Sequence, residues 1–180
     1  MEKSLNFIGI DIGGTNTKIA IVDSNGHYCF LTRLYNQEIE LTREKYLSLI
    51  LQTIYEIQKK AEKTVLGIGI SLPGLQMGDG SGTLYSINLP FLSGLNIKKY
   101  FSDKLKLPVT VINDLVSHSL GEYQFGTGQG IKRFLCVSLG TGIGHTFIEN
   151  GKPFIIMNGI SGDSGRIILD ANSTSFDTGG

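Results

Sequence analysis

The sequence predicts an α/β fold whose sheet begins antiparallel, and three observations lead to it. Apolar runs flank a Gly-Gly-Thr-Asn knot in Asp11–Asp23 (DIGGTNTKIAIVD), and an Asn-Gly turn then leads into a further run, giving three antiparallel strands. From Thr42 to Leu139, helical and strand periods alternate. Finally, Val137–Met157 (VSLGTGIGHTFIENGKPFIIM) repeats the plan of Ile10–Phe30: strand, Gly/Thr knot, strand, Asn-Gly turn, strand. The antiparallel opening excludes a simple doubly wound sheet, which alternates strand and helix from its start.

Taken in order, Phe7–Ile12 and Lys18–Asp23 read as strands. Ser24-Asn25-Gly26 reads as a tight type I′ turn, because Asn-Gly supplies positive φ. Tyr28–Tyr35 makes the third strand. Leu47, Ile50, Leu51, Ile54, Ile57 and Ala61 then fall on one helical face, with Thr42 as N-cap. Thr64–Ser71 returns to strand and ends at Pro73-Gly74. Residues 73–95 lack clear periodicity and hold five glycines and two prolines. A loop this long in a compact domain is functional or disordered. A helix over Asn96–Leu105, a buried strand over Val109–Ile112, a helix over Asp114–Tyr123 and a strand over Phe134–Leu139 follow. In the first hairpin the turn glycine, Gly26, lies 12 residues after Gly14; in the second, Gly151 lies 11 after Gly140. The polar ending ANSTSFDTGG is expected to fray.

Composition narrows the function. The 180 residues carry 16 basic and 16 acidic side chains, a net charge of zero, which argues against nucleic acid or an anionic membrane as partner. Twenty-four glycines gather in short loops and read as backbone devices. Cys29 and Cys136 lie in apolar runs without metal-type spacing, as buried thiols in a reducing compartment do. With no signal peptide or membrane span in view, the expected location is the cytoplasm.

The knots carry the chemistry. N–H groups in a glycine-rich turn can converge on an anion, and a missing Cβ lets a phosphate approach. Gly13 and Gly14 supply that geometry, Thr15 and Asn16 add side-chain donors, and Gly140, Thr141 and Gly142 do the same in the second knot. Lys18 adds positive charge, unless its strand carries it outward. Asp11 repels phosphate unless a cation lies between them, a role that suits Mg²⁺ held through water. A plain tight turn is the competing reading of either knot alone. Other phosphate motifs fail on spacing: GxxxxGK[ST] is absent, and Gly140, Gly142 and Gly144 give GxGxG followed by a strand.

Taken together these segments resemble the ROK family, the bacterial sugar kinases and related repressors of the ribonuclease H-like, actin/hexokinase ATPase fold. DIGGTNTKIAIVD is similar to the family's first phosphate hairpin and LGTGIG (Leu139–Gly144) to its second. GIGISLPG (Gly67–Gly74), NLP (Asn88–Pro90), NDL (Asn113–Leu115), Gly121-Glu122 and NGISGDSGRIILD (Asn158–Asp170) occur in the family's order. The resemblance implies a complete first lobe over residues 1–131 and the opening strands of a second over 132–180, cut short. It implies a glucokinase- or hexosamine-kinase-like enzyme using ATP and Mg²⁺ on a small sugar, and the strands from Phe134 to Met157, lacking covering helices, are expected to pair with another copy as a homo-oligomer. A chain lacking the rest of its second lobe is expected to be inactive alone.

Asp114 follows a strand and opens a helix. From the residues alone it is as well explained by an acid at a helix N-terminus as by catalysis. The resemblance implies that it is the base accepting the sugar hydroxyl's proton. A weak base suffices, because phosphoryl transfer rests on positioning and charge stabilisation. The resemblance further implies sugar contacts from Asn88, Asn113 and Asp114, while Glu122 reads as structural. Asp163 and Arg166 stand where the family carries Glu and His, so they are assigned to the sugar with its identity left open. The family's zinc-binding cysteines do not follow, and His27, His118 and His145 lack ligand spacing, so no zinc is expected. The alternatives are a sugar-sensing regulator, which would need a DNA-binding segment before Asp11; an actin-like or acyl-phosphate ATPase, disfavoured by NLP and NDL; and an inactive fragment.

Overall fold

The computed structural model describes residues 5–36, 42–61, 64–139 and 143–155. The chain forms two compact units, Met1–Asp114 and Leu115–Gly180, whereas the sequence reading divided it after residue 131. The first unit is built on a five-stranded sheet in the order β3-β2-β1-β4-β7. Strands β1 (Asn6–Ile12), β2 (Asn16–Asp23) and β3 (Tyr28–Tyr35) pair antiparallel. β4 (Val65–Leu72) pairs parallel to β1, and β7 (Val109–Asn113) parallel to β4.

Strand alternation sends Ile8, Ile10 and Ile12 of β1 and Thr17, Ile19 and Ile21 of β2 into the core. Helix α1 (Arg43–Ala61) meets that core with Leu47, Ile50, Leu51, Ile54 and Ile57, the face its period predicts. Its start is fixed by Thr42, whose Oγ1 accepts the Lys45 N–H at 3.3 Å. Tyr46, fully buried in its first turn, meets the Phe91 ring edge-on with centroids 5.2 Å apart. Its hydroxyl shares a hydrogen bond with the buried Thr17 Oγ1 beneath the first knot.

Burial pushes the Tyr46 phenol up to about 12; the Asp11 carboxylate adds to this and the Thr17 hydrogen bond opposes it. An unfolded tyrosine ionises near 10, so the folded state holds its proton longer. The resulting stabilisation is complete below pH 10 and is lost as pH rises toward 12. Tyr46→Phe is therefore expected to flatten the fall in stability between pH 10 and 12 in denaturant melts. Near neutral pH it should cost about 1 kcal/mol through the unpaired Thr17 hydroxyl. An unchanged alkaline slope would contradict the buried, neutral phenol.

The long stretch after β4 is ordered. It contains the short pair β5 (Leu75–Gln76) and β6 (Thr83–Tyr85) and a 3₁₀ turn at Pro90–Leu92. Arg43 ties that turn to α1, its Nε donating to Phe91 O at 2.7 Å and its Nη2 to Ser93 O at 3.2 Å. Helix α2 (Ile97–Leu105) is capped by Asn96, whose Oδ1 accepts the Lys99 N–H at 2.8 Å.

The two Asn-Gly turns differ from each other, and the first corrects the sequence reading. Between β2 and β3 only Gly26 has positive φ among Ser24, Asn25 and Gly26, so the turn is not type I′. The Asp23 carboxylate explains it: Oδ1 accepts the N–H groups of Asn25 and His27, each at 2.9 Å, which favours the ordinary right-handed turn. The type I′ form occurs in the second hairpin, where Asn150 and Gly151 have φ of 50° and 73°.

In the second unit, β8 (Arg133–Leu139), β9 (Ile143–Glu149) and β10 (Lys152–Pro153) form an antiparallel sheet in the order β10-β9-β8. Helix α3 (Asp114–Phe125) lends Tyr123, which stacks on Phe134 with centroids 6.5 Å apart. Leu135, Val137, Leu139, Ile143 and Phe147, on the other side of the register, are exposed. Among the described residues no helix is long and apolar enough to cross a membrane.

Candidate active site

Parallel strands bring their carboxyl ends to one edge, and ligands of such sheets bind beyond that edge. Here β1 ends with Asp11-Ile12, β4 with Ser71-Leu72 and β7 with Asn113, in a register that pairs Asp11 with Ser71 and Leu72 with Asn113. The knot extends from β1, the 73–95 segment from β4, and Asp114 from β7 as the first residue of α3. One edge of the first unit thus carries most of the residues expected from the sequence.

Asp11 is held on both oxygens. Lys18, its cross-strand partner, places Nζ 3.2 Å from Oδ2, and Ser71 Oγ donates to Oδ1 at 3.1 Å. Lys18 is therefore beside Asp11 and not carried away by its strand. The half-exposed carboxylate keeps lone pairs for water, a hard oxygen ligand of the kind Mg²⁺ takes alongside phosphate oxygens.

Beyond Asp11 the chain turns, with Gly13 N–H donating to Asn16 O at 3.0 Å. Gly14 and Thr15 are exposed at the tip, and among the described residues their N–H groups meet no acceptor. Such a pair is what an anion-binding turn requires. Asn88 packs on the tip: a Cβ added to Gly14 would lie 3.1 Å from the Asn88 Cβ. Asn88 is held by its neighbour Leu89, which is buried and whose N–H donates to Ser86 Oγ at 3.3 Å.

Gly74, at φ +97°, turns the chain out of β4. Its carbonyl accepts from Asn113 Nδ2 and from Gln76 Nε2, each at 3.3 Å, which joins the start of the 73–95 segment to the end of β7. Glu122 closes the turn after α3, its Oε2 accepting the N–H and Oγ1 of Thr127, each at 2.9 Å. These bonds hold its carboxyl below the usual range.

Gly140, Thr141, Gly142, Asp163 and Arg166 lie outside the described residues. Sequence reasoning missed Ser71. Its signal was a lone hydroxyl ending an otherwise apolar strand, and only the β1–β4 register makes it a partner of Asp11.

Known proteins resemble this chain in sequence and in fold. The glucokinase of Halalkalibacterium halodurans is 29% identical over 170 residues, covering 91% of this chain and 50% of that protein. An N-acetyl-D-glucosamine kinase of Pectobacterium atrosepticum is 29% identical over 171 residues, covering 93% and 54%. This chain thus spans about half the length of these relatives. A crystal structure of a ROK family glucokinase from Streptomyces griseus, in complex with glucose and AMPPNP, superposes with a TM-score of 0.80 at 27% identity, covering 92% of this chain and 51% of that one. The fold is accordingly the actin/hexokinase-like α/β fold of the sugar kinases, present here in about half of its extent. The sequence model of the ROK family matches residues 7–178, and the chain belongs to that family.

Proposed function

We propose that this chain carries the sugar-side lobe and first phosphate hairpin of an ATP-dependent sugar kinase acting on glucose or an N-acetylhexosamine. The supporting observation is the shared strand edge: Asp11, the exposed Gly14 and Thr15 N–H groups, Asn88, Asn113 and Asp114 all belong to it or to the segments leaving it. In this reading the N–H groups of Gly14 and Thr15, with Asn16 and Lys18, receive the β- and γ-phosphates, and Gly13 turns the chain toward them. Gly140, Thr141 and Gly142 of the second hairpin are phosphate-binding residues in this reading. Asp11 holds Mg²⁺ through water, and the ion supplies charge neutralisation along the phosphates. Asn88 and Asn113 orient the sugar, together with Asp163 and Arg166. Asn113 donates its Nδ2 to Gly74 O at 3.3 Å, a bond that orients its side chain at the end of β7.

Asp114 accepts the proton of the reacting hydroxyl as its oxygen bonds to the γ-phosphorus. The bond from that phosphorus to the β–γ bridging oxygen breaks, and ADP leaves. Little covalent work falls to the protein, so positioning and charge carry the rate.

Titration of the chain with Mg-ATP and with glucose, N-acetylglucosamine and N-acetylmannosamine tests the reading. Mg-ATP and one of the sugars are expected to bind, and Gly14→Val is expected to weaken Mg-ATP by at least about tenfold with the fold retained. A sugar-sensing regulator would take sugar and ignore Mg-ATP, and that result would overturn the kinase reading. If Gly14→Val merely unfolds the chain, the knot is only a turn.

A further inference from the structure

Asn36, at the end of β3, is 3% exposed and lies against the first knot. Its Nδ2 donates to Gly13 O at 2.8 Å and to Gly14 O at 2.9 Å, and its backbone N–H donates to Thr15 O at 2.9 Å. One residue therefore holds three consecutive peptide groups. A trans peptide is planar and points its N–H opposite to its C=O. Drawing back the carbonyls of Gly13 and Gly14 turns out the N–H groups of the same two peptides, those of Gly14 and Thr15. These are the two exposed donors that meet no acceptor among the described residues.

Among the described residues no donor reaches Oδ1 of Asn36, and a buried acceptor without a donor is unfavourable. Its chemistry is spent on the two glycine carbonyls. We propose that Asn36 is a positioning residue for the phosphate hairpin: by fixing the peptides of Gly13 and Gly14 it preorganises the two N–H donors that receive a phosphate. This rests on the phosphate reading of residues 11–18. Preorganised donors bind an anion without first reorienting, which is how fixed dipoles gain over solvent.

The test uses amide proton–nitrogen correlation spectra of the whole 180-residue chain, titrated with Mg-ATP and separately with magnesium tripolyphosphate. In the wild type the Gly14, Thr15 and Asn16 amides are expected to shift and saturate with both probes. In Asn36→Ala the same amides should begin at altered positions and the apparent affinity should fall about tenfold, the scale expected for losing positioning bonds. Asn36→Asp should lose more, because its carboxylate faces two carbonyl oxygens. The Ile50 and Ile54 amides of α1 report folding and should stay at wild-type positions in at least one variant. Wild-type affinity in both variants would overturn the proposal and leave the phosphate reading standing. Failure of both probes to move the wild-type knot would remove the phosphate reading and the proposal together. Loss of the α1 signals in both variants would mark Asn36 as a structural residue and overturn the positioning role.

Discussion

Asp114→Asn is expected to cut sugar phosphorylation by about 10²–10⁴-fold, the range a positioned general base contributes. The substitution is nearly isosteric and changes little else. Asn serves a helix N-terminus about as well as Asp, so the start of α3 should hold and the melting temperature should barely move. The amide can accept a hydrogen bond from the sugar hydroxyl but cannot take its proton at neutral pH. The defect should therefore fall on turnover, with Mg-ATP affinity within about threefold of the wild type and sugar affinity little changed. Turnover is measured with Mg-ATP and the hexose panel. Should the 180-residue chain alone be too slow to measure, the C-terminal half of a related glucokinase is added in trans to wild type and variant alike. Turnover in the variant equal to that of the wild type would remove Asp114 from the chemistry and return it to the ordinary role of an acid at a helix start.

The second large effect is structural. Gly74→Val should destabilise the first unit by about 3 kcal/mol or more, combining left-handed backbone strain with overpacking. At φ +97° a side chain is strained in any surroundings, and here a Cβ would also lie 2.4 Å from Tyr85 O and 3.0 Å from Ser86 Cα. Both are backbone atoms in the stretch leading to Asn88, so the clash cannot be relieved by a rotamer change. The Gly74 carbonyl itself receives Asn113 Nδ2, so sugar affinity should fall along with stability. Gly80→Ala separates the two causes: its φ is +64° with nothing within 4 Å of an added Cβ. It should cost only the strain, about 1–2 kcal/mol, in denaturant melts. Equal costs at the two positions would show that crowding at Gly74 is not what makes glycine necessary there.

What could be read in the sequence was local. A helical face is written in its own period, so α1 emerged with its buried aliphatic residues and its Thr42 cap, though not with Tyr46 or Thr53. The strands β1–β4 and β7 emerged from apolar runs and their punctuation. The knot at Gly13–Asn16 was legible because a glycine pair between strands is conspicuous, and Asp11 stood out because a carboxylate beside it is electrostatically odd. Even a local signal misled where a neighbour competed for it. Asn25-Gly26 promised a type I′ turn, but the Asp23 carboxylate two residues upstream captured the backbone N–H groups and selected another. The same dipeptide at Asn150-Gly151 adopted the promised form.

The tertiary structure alone decided which distant groups meet. Ser71 is sixty positions from Asp11, and only the parallel register of β1 with β4 makes it a hydrogen-bond donor to that carboxylate. Lys18 could have pointed either way until the antiparallel register set it opposite Asp11. The 73–95 segment had no period to read, because its order comes from single bonds to residues far away, such as Arg43 to Phe91 O and Asn113 to Gly74 O. Asn36 gave no signal at all: an asparagine after a strand is ordinary, and its meaning arises when the sheet carries it behind the glycine carbonyls of a turn more than twenty residues earlier. Periodicity and turn chemistry act within a few bonds along the chain and are written in order. Hydrogen-bond partners depend on register and on the approach of separate segments, which packing of the whole core fixes.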